Sequence, residues 1–245
     1  MIQNDDLGVV ATGVGQIAFY REFDPETPLL SISFCRDGFW TLPSSLVAEC
    51  AALARAANCR LGVYGSSPAD ERPASISIVY QTGEYIDDYR LTAVGNAPEA
   101  QSRFICIVGN TTTAEPQGLS GCFLAADWTA ALAPMRLFVQ APGLIGIDMA
   151  DPIRAMSHRV TRCETWRLGE APSAHAAESE HVWLGFSNRL LLTEVDEAAR
   201  AVAAALPDRV TLGFHAGLDT TPTLQVDAML SAPFGAGQKN RENEE

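Results

Sequence analysis

Residues 27–65 read TPLLSISFCRDGFWTLPSSLVAECAALARAANCRLGVYG, and the changes of pattern within them decide the fold class. TPLLSISF (27–34) is a short apolar run, the pattern of a strand buried on both faces. After the loop CRDGFWTLPSS, the residues Leu46, Val47, Cys50, Leu53 and Ala57 recur at helical spacing, and Asn58 supplies a stop. RLGVYG then reads as a second strand. Strand, helix and strand within about forty residues make a βαβ unit, so a parallel sheet is expected.

Working outward, GQIAFYREF (15–23) is a candidate strand and SSPADERP (66–73) a loop by its Ser and Pro content. SISIVY (75–80) and YRLTAV (89–94) flank QTGEYIDD in the manner of a hairpin. RFICIVGN (103–110) has the continuous apolar character of a parallel strand. LSGCFLAADWTAALAPMRLFV (119–139) is apolar on most faces and Ala-rich, which predicts a long buried helix that Pro134 kinks or ends. DPIRAMSHRVTRCETWRLG (151–169) is expected to be helical, closed by Gly169. HVWLGFS (181–187) reads as a strand. In TEVDEAARAVAAAL (193–206), Thr193 caps a helix with Asp196 three residues on, and Val195, Ala198, Ala199, Val202 and Leu206 form one stripe. RVTLGFHAGL and TLQVDAMLS are expected to pair around DTTP, so the last fifty residues read β-α-β-β. GAGQKNRENEE (235–245) is expected to be disordered.

Apolar residues are 47% and charged residues 19% of the 245, the balance of a globular chain with a filled core. The net charge of −13 argues against nucleic acid or an anionic membrane as partner, because phosphate binding needs an excess of Lys and Arg. The six cysteines, Cys35, Cys50, Cys59, Cys106, Cys122 and Cys163, show no CxxC pair and mostly lie in apolar runs, so buried free thiols in a reducing compartment are expected. The acidic start MIQNDDLGVV has no basic stretch followed by an apolar one, and no run reaches the length of a membrane span; a cytoplasmic location is the expectation. His158, His175, His181 and His215 lack the spacing of a metal site, and no serine sits in a GxSxG elbow.

Four phrases in collinear order resemble the FtsZ branch of the tubulin superfamily. They are SSLVAECAALARAANCRLGVYG (44–65), FICIVGN with CFLAADWTAAL (104–132), PGLIGIDMADPIRAM (142–156) and LLLTEVDEAARAVAAAL with VTLGFHAGLD and LQVDAML (190–230). The resemblance implies an α/β fold: an incomplete Rossmann-like parallel-sheet half (1–116), a central connecting helix (117–141), a C-terminal α+β half (142–234) and a tail (235–245). The departures concern the nucleotide. The family's glycine-rich phosphate loop, GGGTGTG, is replaced here by CRDGFWTLP (35–43). Glycines let backbone N–H groups approach phosphate, whereas Trp40, Leu42 and Pro43 add bulk and delete a donor, and Asp37 adds negative charge. GTP binding in the family's manner is therefore not expected, and no cofactor is. The alternative keeps GTP or GDP, with Asn110, Phe123 and Asp127 at the family's base-pocket positions. The bland reading of the same residues is a strand-ending Asn, a core Phe and a solvated Asp.

Asp148 and Asp151 match the acidic loop positions with which an FtsZ subunit polarises water at its neighbour's γ-phosphate, a role that needs paired acceptors. The family's preceding Asn is Gly146 here. Asp151 before Pro152 also suits a helix N-cap, a structural reason independent of function. Arg154, Arg159, Arg162 and Arg167 are expected to line the following helix. The resemblance thus implies a protomer that keeps the loop face and has lost the phosphate face. Such a protein would dock on an FtsZ or tubulin-like subunit, or on itself, and modulate filament assembly in cell division. The alternative is a GTPase with a rebuilt pocket.

Overall fold

The structure is a computed structural model, and it describes residues 15–21, 24–36, 39–40, 44–64, 74–82, 102–109, 118–140, 150–187, 189–217 and 224–234. Its strands are β1 (Gln16–Arg21), β2 (Asp24–Arg36), β3 (Phe39–Trp40), β4 (Arg60–Tyr64), β5 (Ile76–Thr82) and β6 (Ser102–Val108), followed by β7 (Gly121–Ala125), β8 (Arg159–Arg167), β9 (His181–Ser187), β10 (Thr211–Gly217) and β11 (Gln225–Pro233). The helices are α1 (Ser44–Ala56), α2 (Trp128–Ala131), α3 (Ala133–Gln140), α4 (Ala150–Met156), α5 (Ala174–Glu178) and α6 (Leu192–Ala205). All the strands join one sheet in the order β10-β9-β11-β8-β7-β6-β5-β2-β1-β4, with β3 folded back on β2.

The middle of this sheet is the parallel array β2, β5, β6, β7 and β8. β2, β5, β6 and β7 are buried on both faces over most of their length, as their apolar sequences require, whereas β8 is largely half-buried. The βαβ expectation holds with one addition. β1 lies between β2 and β4 and runs antiparallel to both, so β2 and β4 are parallel without touching. At the other end β9 and β10 are parallel, with α6 as their crossover, and β11 runs antiparallel between β8 and β9. The expected β-α-β-β order is present, but β10 and β11 do not pair with each other.

Two other expectations are corrected. The run 119–139 is not one helix: Gly121–Ala125 is a fully buried strand, followed by two short helices. A five-residue apolar strand enclosed by neighbours has no period that separates it from a buried helix. The central helix expected over 117–141 is thus reduced to α3, where Pro134 sits in the first turn and costs no intrahelical hydrogen bond. Residues 151–169 are likewise divided, into α4 and β8. His158 turns the chain between them with φ of 57°, and Gly169, with φ of 81°, ends a strand rather than a helix. The four arginines therefore do not share a helix: Arg154 is on α4 and Arg159, Arg162 and Arg167 are spread along β8. The possible strand at 89–94 and the tail lie outside the described residues.

Alternation along the strands sorts the core into two faces. One face carries Phe19, Ile32, Ile78, Tyr80, Phe104, Phe123, Met229 and their neighbours against α1, α2 and α3. The opposite face packs Val182, Leu184, Phe186, Ala228 and Leu230 against Val195 and Val202 of α6. On the first face Asp227 of β11 sets a buried charge in this pattern: only 3% exposed at its side chain, it receives a two-pronged contact from Arg136 of α3. Arg136 donates from Nε to Asp227 Oδ2 and from Nη2 to Asp227 Oδ1, each at 2.6 Å, and Nη2 also donates to the Thr129 carbonyl at 3.2 Å. Burial works against the guanidinium's charge, but the Asp227 carboxylate more than reverses that and raises its pKa.

Removing one partner of such a pair strands a charge in the core. Asp227→Ala is expected to cost roughly 3–5 kcal/mol in urea-induced unfolding, and the double change Arg136→Met with Asp227→Leu to regain much of it. A single change costing no more than an exposed substitution would refute the role of the pair.

Candidate functional site at the two edges of the sheet

From β2 the chain leaves to one side, through α1 to β4, and then returns to the other side at β5. Such a switch point, at the carboxyl ends of the strands, is where open α/β sheets hold ligands. Here β2 does not turn straight into α1. It continues into a hairpin with β3, in the register Cys35↔Trp40 and Arg36↔Phe39. Those backbone groups face a partner strand where a phosphate-binding turn leaves N–H groups open.

The carboxyl ends of β6 and β7 lie side by side on the same edge, joined by Gly109 N–H to the Ala125 carbonyl at 2.9 Å. Asp127, two residues past β7, is exposed there and caps α2, its Oδ1 accepting from Ala130 N–H at 3.0 Å. Phe123 is 0% exposed and belongs to the core, its ring 5.1 Å from Phe104 and 6.2 Å from Phe138. Asn110 lies outside the described residues. Of the two described base-pocket positions, Asp127 is placed at the edge, and it has a capping role.

Asp151 is at the opposite edge. α4 precedes β8, which starts where β7 starts, so α4 sits at the amino ends of the parallel strands. Asp151 is the second residue of α4 rather than the residue before it. Its exposed carboxylate meets Arg154 at 3.4 Å, a surface pair of little energetic weight. Asp148 lies outside the described residues. α4 comes so near the sheet that a Cβ on Gly121 would stand 2.6 Å from the Met156 carbonyl oxygen. With β7 five residues long, Asp127 and Asp151 are separated by roughly 17 Å of strand, so the two edges cannot act on one small substrate within a single chain.

A buried polar row was not foreseen. Asp227, Gly185 and His215 stand side by side across β11, β9 and β10. Gly185 lets its neighbours close over it, since a Cβ there would lie 2.9 Å from His215 Cε1 and 3.3 Å from Asp227 Cβ. Trp183 Nε1 donates to His215 Nδ1 at 3.0 Å, which places the proton of the neutral ring on Nε2. Burial, with the nearby Arg136 charge second, lowers the His215 pKa to about 4. The sequence did carry a signal for this row: Arg136 and Asp227 are lone charges within APMRLFV and LQVDAML, and a buried charge needs a partner. His215 gave none.

Other chemistry finds little support. Burial raises the thiol pKa of Cys106 and Cys163, and that of Cys122 to about 12, so none of these is a ready nucleophile. Among the described residues no group of three or more His, Cys, Asp or Glu could hold a metal ion, and no helix is long and apolar enough to cross a membrane.

His215 makes stability depend on pH in a definite direction. The unfolded chain takes up the proton near pH 6.5 and the folded one only near 4, so stability is full above that window and falls as pH drops through it. The loss should reach roughly 3 kcal/mol. Urea midpoints between about pH 7.5 and 4.5 should show this excess slope in the parent and not in His215→Gln, and equal slopes would contradict it.

No family model matches the sequence, and no curated protein matches it. Among solved structures, an FtsZ from M. jannaschii (the W319Y mutant, P1) aligns over 77% of this chain and 71% of its own, with 12% identity and a TM-score of 0.47. That likeness is too distant to assign the chain to a family.

Proposed function

We propose that the chain is an FtsZ-like interaction protein that does not turn over GTP. It docks through its α4 edge on an FtsZ or tubulin-like protomer and modulates filament assembly in cell division. The observation that carries the reading is the β2–β3 hairpin at the switch point, which occupies backbone where a phosphate cradle needs open N–H groups. The four collinear phrases support the family side of it. The placement of Asp151 and Asp127 on opposite edges supports a head-to-tail geometry, in which one protomer's acidic edge meets another's nucleotide edge. Asp148 and Asp151 would act on the neighbour's nucleotide, in trans.

The second reading, a GTP-binding protein with a rebuilt pocket, draws on the adjoining carboxyl ends of β6 and β7 and on Asp127 beside them. One assay separates the two. Labelled GTP should bind the isolated chain no tighter than roughly 1 mM. Added below equimolar amounts to polymerising FtsZ from the same cell, the chain should change filament length or GTP turnover, and Asp148→Ala or Asp151→Ala should weaken that effect without unfolding the protein. Micromolar GTP binding by the chain alone would favour the second reading, and no effect on filaments would end the first.

A further inference from the structure

The outermost strand β10, Thr-Leu-Gly-Phe-His-Ala-Gly over Thr211–Gly217, pairs among the described residues with β9 alone. Both of its faces are covered. Leu212 and Phe214 pack into the core under α6, and His215 is buried on the other side with Trp183. The outer rim remains, where Leu212, Phe214 and Ala216 are half-buried. Edge strands are ordinarily guarded by charged residues, proline or a bulge, because a row of open N–H and C=O groups is a template for another strand. β10 has no proline and no formally charged residue. The strand at the far end of the sheet, β4, begins with Arg60, which lies over the Tyr20 ring at 5.0 Å.

Two of the chain's own segments that follow β10 do not suit this edge. Residues 218–223 lead from the end of β10 to the start of β11, both at the same edge of the sheet. Residues 235–245, GAGQKNRENEE, contain no β-branched or aromatic residue. A second copy suits it better. Chains carrying −13 each repel one another, so association favours a strip free of charge, and β10 is seven such residues in a row.

We propose that β10 pairs antiparallel with β10 of a second copy about a two-fold axis, so that the sheet runs on through the dimer. Centred on Phe214, this pairing sets Phe214 against its own equivalent, Leu212 against Ala216, Gly213 against His215 and Thr211 against Gly217. The central contact is an aromatic cross-strand pair, and no like charges face each other in the ladder. Each copy carries −13, so salt strengthens the dimer by screening.

Sedimentation equilibrium of the full chain over roughly 1 to 200 µM should show the mass rising from 26.3 kDa toward twice that value. The dimer fraction should increase between about 0.02 and 0.5 M salt. Amide exchange across Thr211–Gly217 should slow as chain concentration rises, while that of β4 stays constant. Phe214→Lys should weaken association at least about tenfold; Ala216→Lys, which removes no large core side chain, makes the same test should the first variant not fold. Asp151→Ala, which tests the docking edge, should leave the dimer intact. A mass of 26.3 kDa throughout, or a dimer whose β10 exchange ignores concentration, overturns the proposal.

Discussion

The pair Arg136–Asp227 is the fixed point of this molecule. α3 follows β7 in the chain and crosses the face of the sheet, touching β2 on one side and β10 and β11 on the other. The outer strands join the parallel array through the ladder of β11 with β8, from Gln225↔Arg167 to Pro233↔Arg159, and the ion pair ties them to α3 across the face. The guanidinium fork binds the Asp227 carboxylate in one orientation, which sets the rotation of α3 and its position over β11 together. Apolar residues of similar volume could supply as much stability, but not that direction. Beside the pair, His215 closes over Gly185 next to Asp227 and accepts from Trp183 Nε1.

Much of the fold was legible in patterns that have a definite period. α6 shows its stripe, and α1 shows its own between two strands, because half-buried helices must alternate. β7 was illegible for the opposite reason. A strand enclosed on both faces and both edges is uniformly apolar, and GCFLA adjoins WTAALAPM with no polar break but Asp127. β8 was misread because α4 leads into it without proline or glycine. The turn is made by His158 in the left-handed region, a conformation uncommon for any residue but glycine. The place of β11 was hidden too, since pairing partners in a sheet are chosen by faces and edges that only assembly creates.

The site was legible to a smaller extent. Asp127 and Asp151 are exposed carboxylates at helix starts, and the structure gives each a modest local duty, as a cap and as a surface ion pair. What no residue list could convey is that strand direction puts them on opposite ends of the molecule. The hairpin at the end of β2 was not legible either, because the pairing of Cys35 with Trp40 and of Arg36 with Phe39 is a matter of backbone and not of side-chain pattern.

The insertion of β11 between β8 and β9 has a bearing on how the protein is made. Synthesis proceeds from the amino terminus, so β8, β9 and β10 all leave the ribosome before the strand that joins them exists. Until residues 225–233 emerge, β8 and β9 each hold out an unsatisfied edge, and Arg136 waits in an apolar helix for a counter-charge encoded 91 positions later. Completion is therefore concentrated in one late event, in which a single strand zips two ladders and neutralises a core cation at once.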